Sequence, residues 1–177
     1  MKNTDLYLSG KSIDLKLVEE RDAQFILSLR TDQNKNKFLN RVDNDLNKQV
    51  DWLKQYKTRE SAGYEYYFII IGKDQSKYGT VRLYDFIGDS FCWGSWIVKA
   101  GSPAVVAIES ALLVYDFAFY ELGFSKSHFD VRKENARVRA FHERMGAVKV
   151  NEDSVDCFYV YTKESYELIR QRYAKYL

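Results

Sequence analysis

The spacing of apolar residues changes several times along the chain, and each change marks an element. Residues 12–18 (SIDLKLV) alternate apolar and polar positions, the pattern of a half-buried strand. From Glu19 to Leu29 the spacing becomes helical, with Ala23, Ile26, Leu27 and Arg30 in phase. The polar stretch 31–47, holding Lys35, Lys37 and Arg41, predicts a loop or broken helix. Asn47 is the expected cap of a helix running to Ser61, with Val50, Leu53 and Tyr56 on its buried stripe. Two runs rich in aromatic and β-branched residues follow, 64–71 and 78–85, joined by the polar link 72–77, and they predict a hairpin. A third such run, 90–98 (SFCWGSWIV), should pair beside them. Residues 1–10 show no period and are expected to be a poorly fixed lead-in.

The second half alternates strand and helix. Ser102 and Pro103, the chain's single proline, precede the apolar run AVVAIESALLVYDFAFYEL. Ser102 is the expected N-cap, Pro103 the first helical residue and Gly123 the stop. Residues 127–132 read as a strand, 135–147 as a helix, 156–163 as a strand and 163–176 as a last helix with Tyr166, Ile169 and Tyr173 on one side. The sum is one α/β (α+β) domain over residues 1–177, built on a mixed, mostly antiparallel sheet flanked by helices. The strands at either end of the long helix are expected to be parallel, because a helical crossover permits that geometry.

Composition narrows the function. A chain of 177 residues with 46% hydrophobic and 29% charged residues is that of an ordinary globular domain. A net charge of +2 gives no bulk electrostatic case for nucleic acid or a membrane surface. Aromatic residues make up 16% of the chain, enough to line a pocket as well as a core. Cys92 and Cys157 form no metal or redox motif, so a reducing, cytoplasmic setting is expected. The N-terminus lacks the apolar stretch of a signal peptide, and no apolar run is long enough to span a bilayer.

Candidate chemistry lies where the third strand meets the long helix. The first helical turn, Pro103-Ala104-Val105-Val106, carries no acid before Glu109. Its unpaired N–H groups and partial positive charge therefore remain available to a phosphate. Beyond the helix, Asn135 is followed seven residues later by His142 and eleven residues later by Gly146. Strand, anion-binding turn, long helix, strand and this Asn-to-Gly spacing, over residues 90–150, resemble the acetyl-CoA core of the GNAT N-acetyltransferase superfamily. The turn departs from the family's usual Gln/Arg-x-x-Gly-x-Gly/Ala, reading SPAVVA. That removes backbone freedom and leaves the N–H groups. The phrases WGSWIV, ESALLVYDFAF and FDVRKEN…FHERMGA are most similar to members found with bacterial surface-polysaccharide genes, which acetylate amino groups of nucleotide-linked sugars.

The resemblance implies roles for particular residues. Two splayed parallel strands would hold acetyl-CoA between them. Ser102, Ala104, Val105, Val106 and Ala107 would take the coenzyme pyrophosphate. The backbone of Ile97 and Val98 would pair with the pantetheine arm, and Asn135, Val138 and Phe141 would face it from the second helix. His142 stands where many members carry a tyrosine that protonates the leaving sulfur. A histidine there can serve as that acid or simply pack within the helix. His128 reads as structural. The amine would attack the thioester directly, through a tetrahedral intermediate. Asp85, Glu109 and Asp130 are candidate bases by location only, and none is assigned. Arg30, Lys35, Lys37, Arg59 and Arg82, with Trp52, Tyr56, Tyr84 and Trp96, lie on segments that would surround the acceptor. Arg30, Trp52, Arg82, Tyr84 and Trp96 are taken as its binding residues, since guanidinium forks suit diphosphates and rings suit sugar and base faces. No metal is expected. The expected partner is a small-molecule amine, acting on a monomer or homodimer. Two alternatives remain: acetylation of a protein N-terminus, ribosomal protein or small amine, and a non-catalytic domain that binds acetyl-CoA or a nucleotide sugar.

Overall fold

A computed structural model describes residues 6–177. One eight-stranded sheet forms the frame, with β1 (Tyr7–Ser9), β2 (Ile13–Leu17), β3 (Tyr66–Gly72), β4 (Lys77–Ile87), β5 (Ser90–Val98), β6 (Lys126–Arg132), β7 (Val148–Glu152) and β8 (Asp156–Thr162) in the order β1-β2-β3-β4-β5-β6-β8-β7. Among the described residues only β5 and β6 run parallel. Five α-helices flank the sheet: α1 (Ala23–Thr31), α2 (Leu46–Ser61), α3 (Val105–Asp116), α4 (Ala136–Arg144) and α5 (Lys163–Arg172).

The period-2 geometry of a strand explains how one sheet serves two cores. All of β3 is buried. Its Tyr66, Phe68 and Ile70 pack with α3 and α5, while Tyr67, Ile69 and Ile71 pack with Ile26 of α1 and Leu53 and Tyr56 of α2. Glu109 fastens α3 beneath the sheet: its side chain is fully buried and Oε1 accepts hydrogen bonds from the backbone N–H of Ser12 (2.6 Å) and Ile13 (3.1 Å).

Several boundaries differ from expectation, each for a local reason. Residues 1–5 of the expected lead-in lie outside the described residues, and Tyr7–Ser9 is a strand paired with β2. Only Leu8 of that strand is buried, so it shows no readable face. Helix α2 is capped by Asp45 rather than Asn47, because the Asp45 carboxylate reaches the N–H groups of Asn47 (2.9 Å) and Lys48 (3.2 Å). The regular part of α3 begins at Val105, and Ser102 does not cap it. The Ser102 N–H closes the preceding turn onto Lys99 (3.3 Å), and its hydroxyl has no partner. The end of α3 widens into a π turn over Phe117–Glu121, with the Leu122 N–H reaching back five residues to Phe117 (2.9 Å), before Gly123 ends it at φ 79°. The strand β7 has no counterpart in the sequence reading, and all five of its residues are exposed.

Candidate active site

The site forms where the sheet comes apart. Strands β5 and β6 are paired only at Ser90 with Lys126 and Phe91 with Ser127, and then diverge. On its other side β5 stays paired with β4 through Val98, although the register shifts between Thr80 and Arg82. Ser95 sits at that shift with φ 45°, and its carbonyl accepts a hydrogen bond from Thr80 Oγ1 (2.8 Å). Gly79 allows the close approach here, since a Cβ would lie 2.0 Å from the Ile97 carbonyl oxygen. The Lys99 N–H points to Tyr78 of β4 (2.7 Å). By strand alternation the Val98 N–H faces the opening instead.

Two cavities meet at this bulge. The first, about 220 Å³, lies in the opening between β5 and β6 and is lined by Trp93, Trp96, Asp130, Asn135, Val138 and His142, among others. The second, about 420 Å³, lies under α1 and α2 and is lined in part by Lys48, Gln49, Trp52, Tyr67 and Arg82. Arg30, Asn40, Tyr84 and Ser95 border both.

His142 stands in the smaller cavity on α4, 5% exposed. The rings of Phe129 (4.3 Å between centroids), Trp93 (5.3 Å), Phe141 (5.5 Å) and Trp96 (6.3 Å) enclose it, and Nδ1 has no partner. Burial lowers its pKa to about 4, so the imidazole is neutral at pH 7. Asn135 caps α4, its Oδ1 accepting from the Val138 N–H (3.4 Å). Phe141 packs on Trp96, whose indole N–H donates to Ser110 Oγ (3.1 Å).

The start of α3 is open. No side chain caps it, no acid stands in its first turn, and Ser102 Oγ is buried without a partner. The Val106 N–H is already donated to Pro103 (3.0 Å), which leaves Ala104, Val105 and Ala107 to offer the backbone of this turn.

Of the three carboxylates considered as bases, Asp130 borders the smaller cavity, and Asp85 and Glu109 border neither of the two. Its pKa is raised, first by burial and then by the nearby charge of Asp156. Asp85 is paired with His128 Nε2 (3.0 Å), whose Nδ1 meets Ser90 Oγ (2.6 Å), and Glu109 is occupied beneath the sheet. Burial pushes the Cys92 thiol up to about 12, which keeps it protonated.

The expected acceptor residues divide. Arg30, Trp52, Arg82 and Tyr84 surround the larger cavity, whereas Trp96 borders only the smaller one. Arg82 is gripped by Glu65, which also takes Arg59, and both guanidinium groups lie against the Trp52 ring (5.0 and 5.4 Å). Tyr56 is fully buried, donating to Glu60 and stacked under Trp52 (5.8 Å), so it cannot face a ligand. Lys35, Lys37 and Arg59 border neither cavity. Tyr67, Glu65 and Ser95 were not singled out from the sequence. In YEYYFIII the tyrosine at 67 is indistinguishable from its core neighbours, and only the positive φ marks Ser95.

Among the described residues no group of three or more His, Cys, Asp or Glu side chains is placed to hold a metal ion, and no helix is long and apolar enough to cross a membrane.

The sequence profile described as an acetyltransferase (GNAT) domain matches residues 13–148. The chain belongs to the GNAT acetyltransferase family. Among solved structures it is similar to apo FdhC, a nucleotide-linked sugar GNAT, with 45% identity and a TM-score of 0.90 over 98% of this chain and 99% of that one. At the level of fold alone it is similar to spermidine N-acetyltransferase from Vibrio cholerae in complex with CoA and spermine, at 20% identity and a TM-score of 0.70, covering 88% of this chain and 98% of that one. The ribosomal-protein-S5-alanine acetyltransferase of Vibrio fischeri gives 12% identity and a TM-score of 0.77 over 92% and 99%. Among curated proteins, no sequence matches.

Proposed function

We propose that this acetyltransferase moves an acetyl group from acetyl-CoA to the primary amine of a nucleotide-linked amino sugar. The observation that carries the reading is the pair of cavities joined at Ser95, one narrow and aromatic, the other larger and cationic, together with 45% identity to a nucleotide-linked sugar GNAT. The residues present fit the coenzyme. The unpartnered Ser102 hydroxyl and the open start of α3 suit its pyrophosphate, and the free edge of β5 suits an amide-bearing arm. When bound, it supplies an acetyl group activated as a thioester.

The chain's own residues then divide the work. The backbone of Val98 holds the arm by strand-like pairing, while Ile97, turned to Gly79 and Thr80 of β4, only fixes the strand, and Val138 and Phe141 exclude water beside it. Asn135 orients α4 against it. Asp130 takes the proton of the acceptor ammonium, so that the amine arrives as a nucleophile. His142, neutral at pH 7, hydrogen-bonds the departing sulfur through a ring N–H, and the proton that the attacking nitrogen loses as the amide forms passes to that sulfur, so that the coenzyme leaves as the thiol. Attack is direct, because the Cys92 thiol is protonated and gives no acyl-enzyme. Arg30, Arg82, Trp52 and Tyr84 hold the nucleotide part of the acceptor. Two free, buried cysteines accord with a reducing, cytoplasmic setting.

Thiol release from acetyl-CoA, measured against nucleotide-linked amino sugars, short peptides and polyamines, tests the reading. Release with the amino sugars is expected, and it should fall about a hundredfold in Asp130→Asn. Release with peptides or polyamines alone overturns the acceptor class, and an unimpaired Asp130→Asn enzyme overturns the role of that carboxylate.

A further inference from the structure

We propose that the Tyr67 hydroxyl and the Arg30 guanidinium together form a phosphate-oxygen site in the larger cavity, which takes the diphosphate of the acceptor. This assignment rests on the nucleotide-linked acceptor proposed above and names the residues that read its phosphates.

Tyr67 is 2% exposed and borders the larger cavity, yet its hydroxyl has no hydrogen-bond partner. A buried hydroxyl left in that state is costly and rare. Thr80 and Arg30 lie close enough to act on it electrostatically, yet neither makes a well-formed hydrogen bond with it. Thr80 Oγ1 donates to the Ser95 carbonyl, and Arg82 is held by Glu65. Arg30 reaches Ser95 Oγ (3.4 Å) and the Asn40 carbonyl (3.2 Å). Burial raises the Tyr67 pKa, against smaller opposing effects of Arg30, Thr80 and Arg82, so the phenol remains a donor at neutral pH.

The cavity's charges point the same way. Lys48 is paired with Asp43 (2.5 Å) and Arg82 with Glu65, whereas no carboxylate among the described residues pairs with Arg30. An unpaired cation beside an unpaired donor calls for one acceptor that is also an anion. A water or a sugar hydroxyl would satisfy the phenol and leave Arg30 uncompensated. A phosphate oxygen satisfies both.

Tyr67→Phe removes the hydroxyl alone and separates binding from folding. Thymidine and uridine diphosphates, titrated calorimetrically into the full-length protein, should bind the wild type. In Tyr67→Phe and Arg30→Gln their affinity should fall by roughly ten- to a hundredfold. The KM for a nucleotide-linked amino sugar should rise similarly in Tyr67→Phe, with kcat changed less than about threefold and the KM for acetyl-CoA unchanged. Its thermal midpoint should stay the same or rise, because an unsatisfied buried group has been deleted. A lowered midpoint, or equal diphosphate affinity in wild type and Tyr67→Phe, overturns the assignment. So does inorganic phosphate binding as tightly as the nucleoside diphosphates. Tyr67-dependent diphosphate binding by an enzyme that acetylates no nucleotide-linked amino sugar would retain this site and reject the proposed acceptor.

Discussion

At His142 the local surroundings settle a protonation state that the residue type leaves open. The imidazole sits within four aromatic rings, with no charged partner to favour its cationic form, and its pKa falls to about 4. In the unfolded chain it would titrate near its ordinary value of about 6.5. Between those values the unfolded state binds a proton that the folded state does not, so stability falls as the pH drops from about 6.5 towards 4 and the loss levels off below. The two and a half units involved correspond to about 3 kcal/mol. Denaturant midpoints for wild type and His142→Phe should therefore diverge over that window, the variant escaping this share of acid destabilisation. Parallel pH profiles would show that the ring is protonated in the fold. In the role proposed for it, a neutral imidazole donates an N–H without carrying a charge into an aromatic pocket.

Among the elements, the start of α3 offers the sharpest test, because folding and binding make opposite demands there. The helix has neither a capping side chain nor an acid in its first turn. Ala104→Asp should stabilise the helix by about 0.5 kcal/mol through the dipole. In the proposed coenzyme site the same carboxylate would repel the pyrophosphate and raise the KM for acetyl-CoA by about tenfold. A stabilised variant with unchanged KM would move the pyrophosphate away from this turn. The elements also show what the sequence discloses. β5 lies on the predicted residues 90–98, because a strand buried from Ser90 to Trp93 writes its apolar run openly. α3 was legible from its apolar length and Gly123, and α4 from the run between Asn135 and Gly146, whereas the capping role of Asn135 was not. β1 and β7 were not, since β1 buries one residue and β7 none. The site was legible only in part. Arg30, Trp52, Arg82 and Tyr84, chosen by chemistry and placement, line the larger cavity. Ser95 depends on a register shift and Tyr67 on an unmet hydrogen bond, and neither leaves a trace in residue type.

For the whole molecule, burial across the sheet sets a gradient of local stability. β3 is buried along its full length between two cores, while β7 is an exposed edge. Amide exchange should therefore be slowest in Tyr66–Gly72 and fastest, among the strands from β2 onward, in Val148–Glu152. Equal protection of the two would mean that the sheet opens only as one unit. The parting of β5 from β6 has a further consequence. A sheet ordinarily exposes unpaired backbone at its two margins, where edge-to-edge aggregation begins. This sheet has a third such margin in its interior, screened by α4 and its neighbours. A ligand that pairs with that edge therefore acts as a chaperone for its own enzyme, covering sticky backbone whenever α4 loosens, and the protein should be most prone to clump when its substrate runs out.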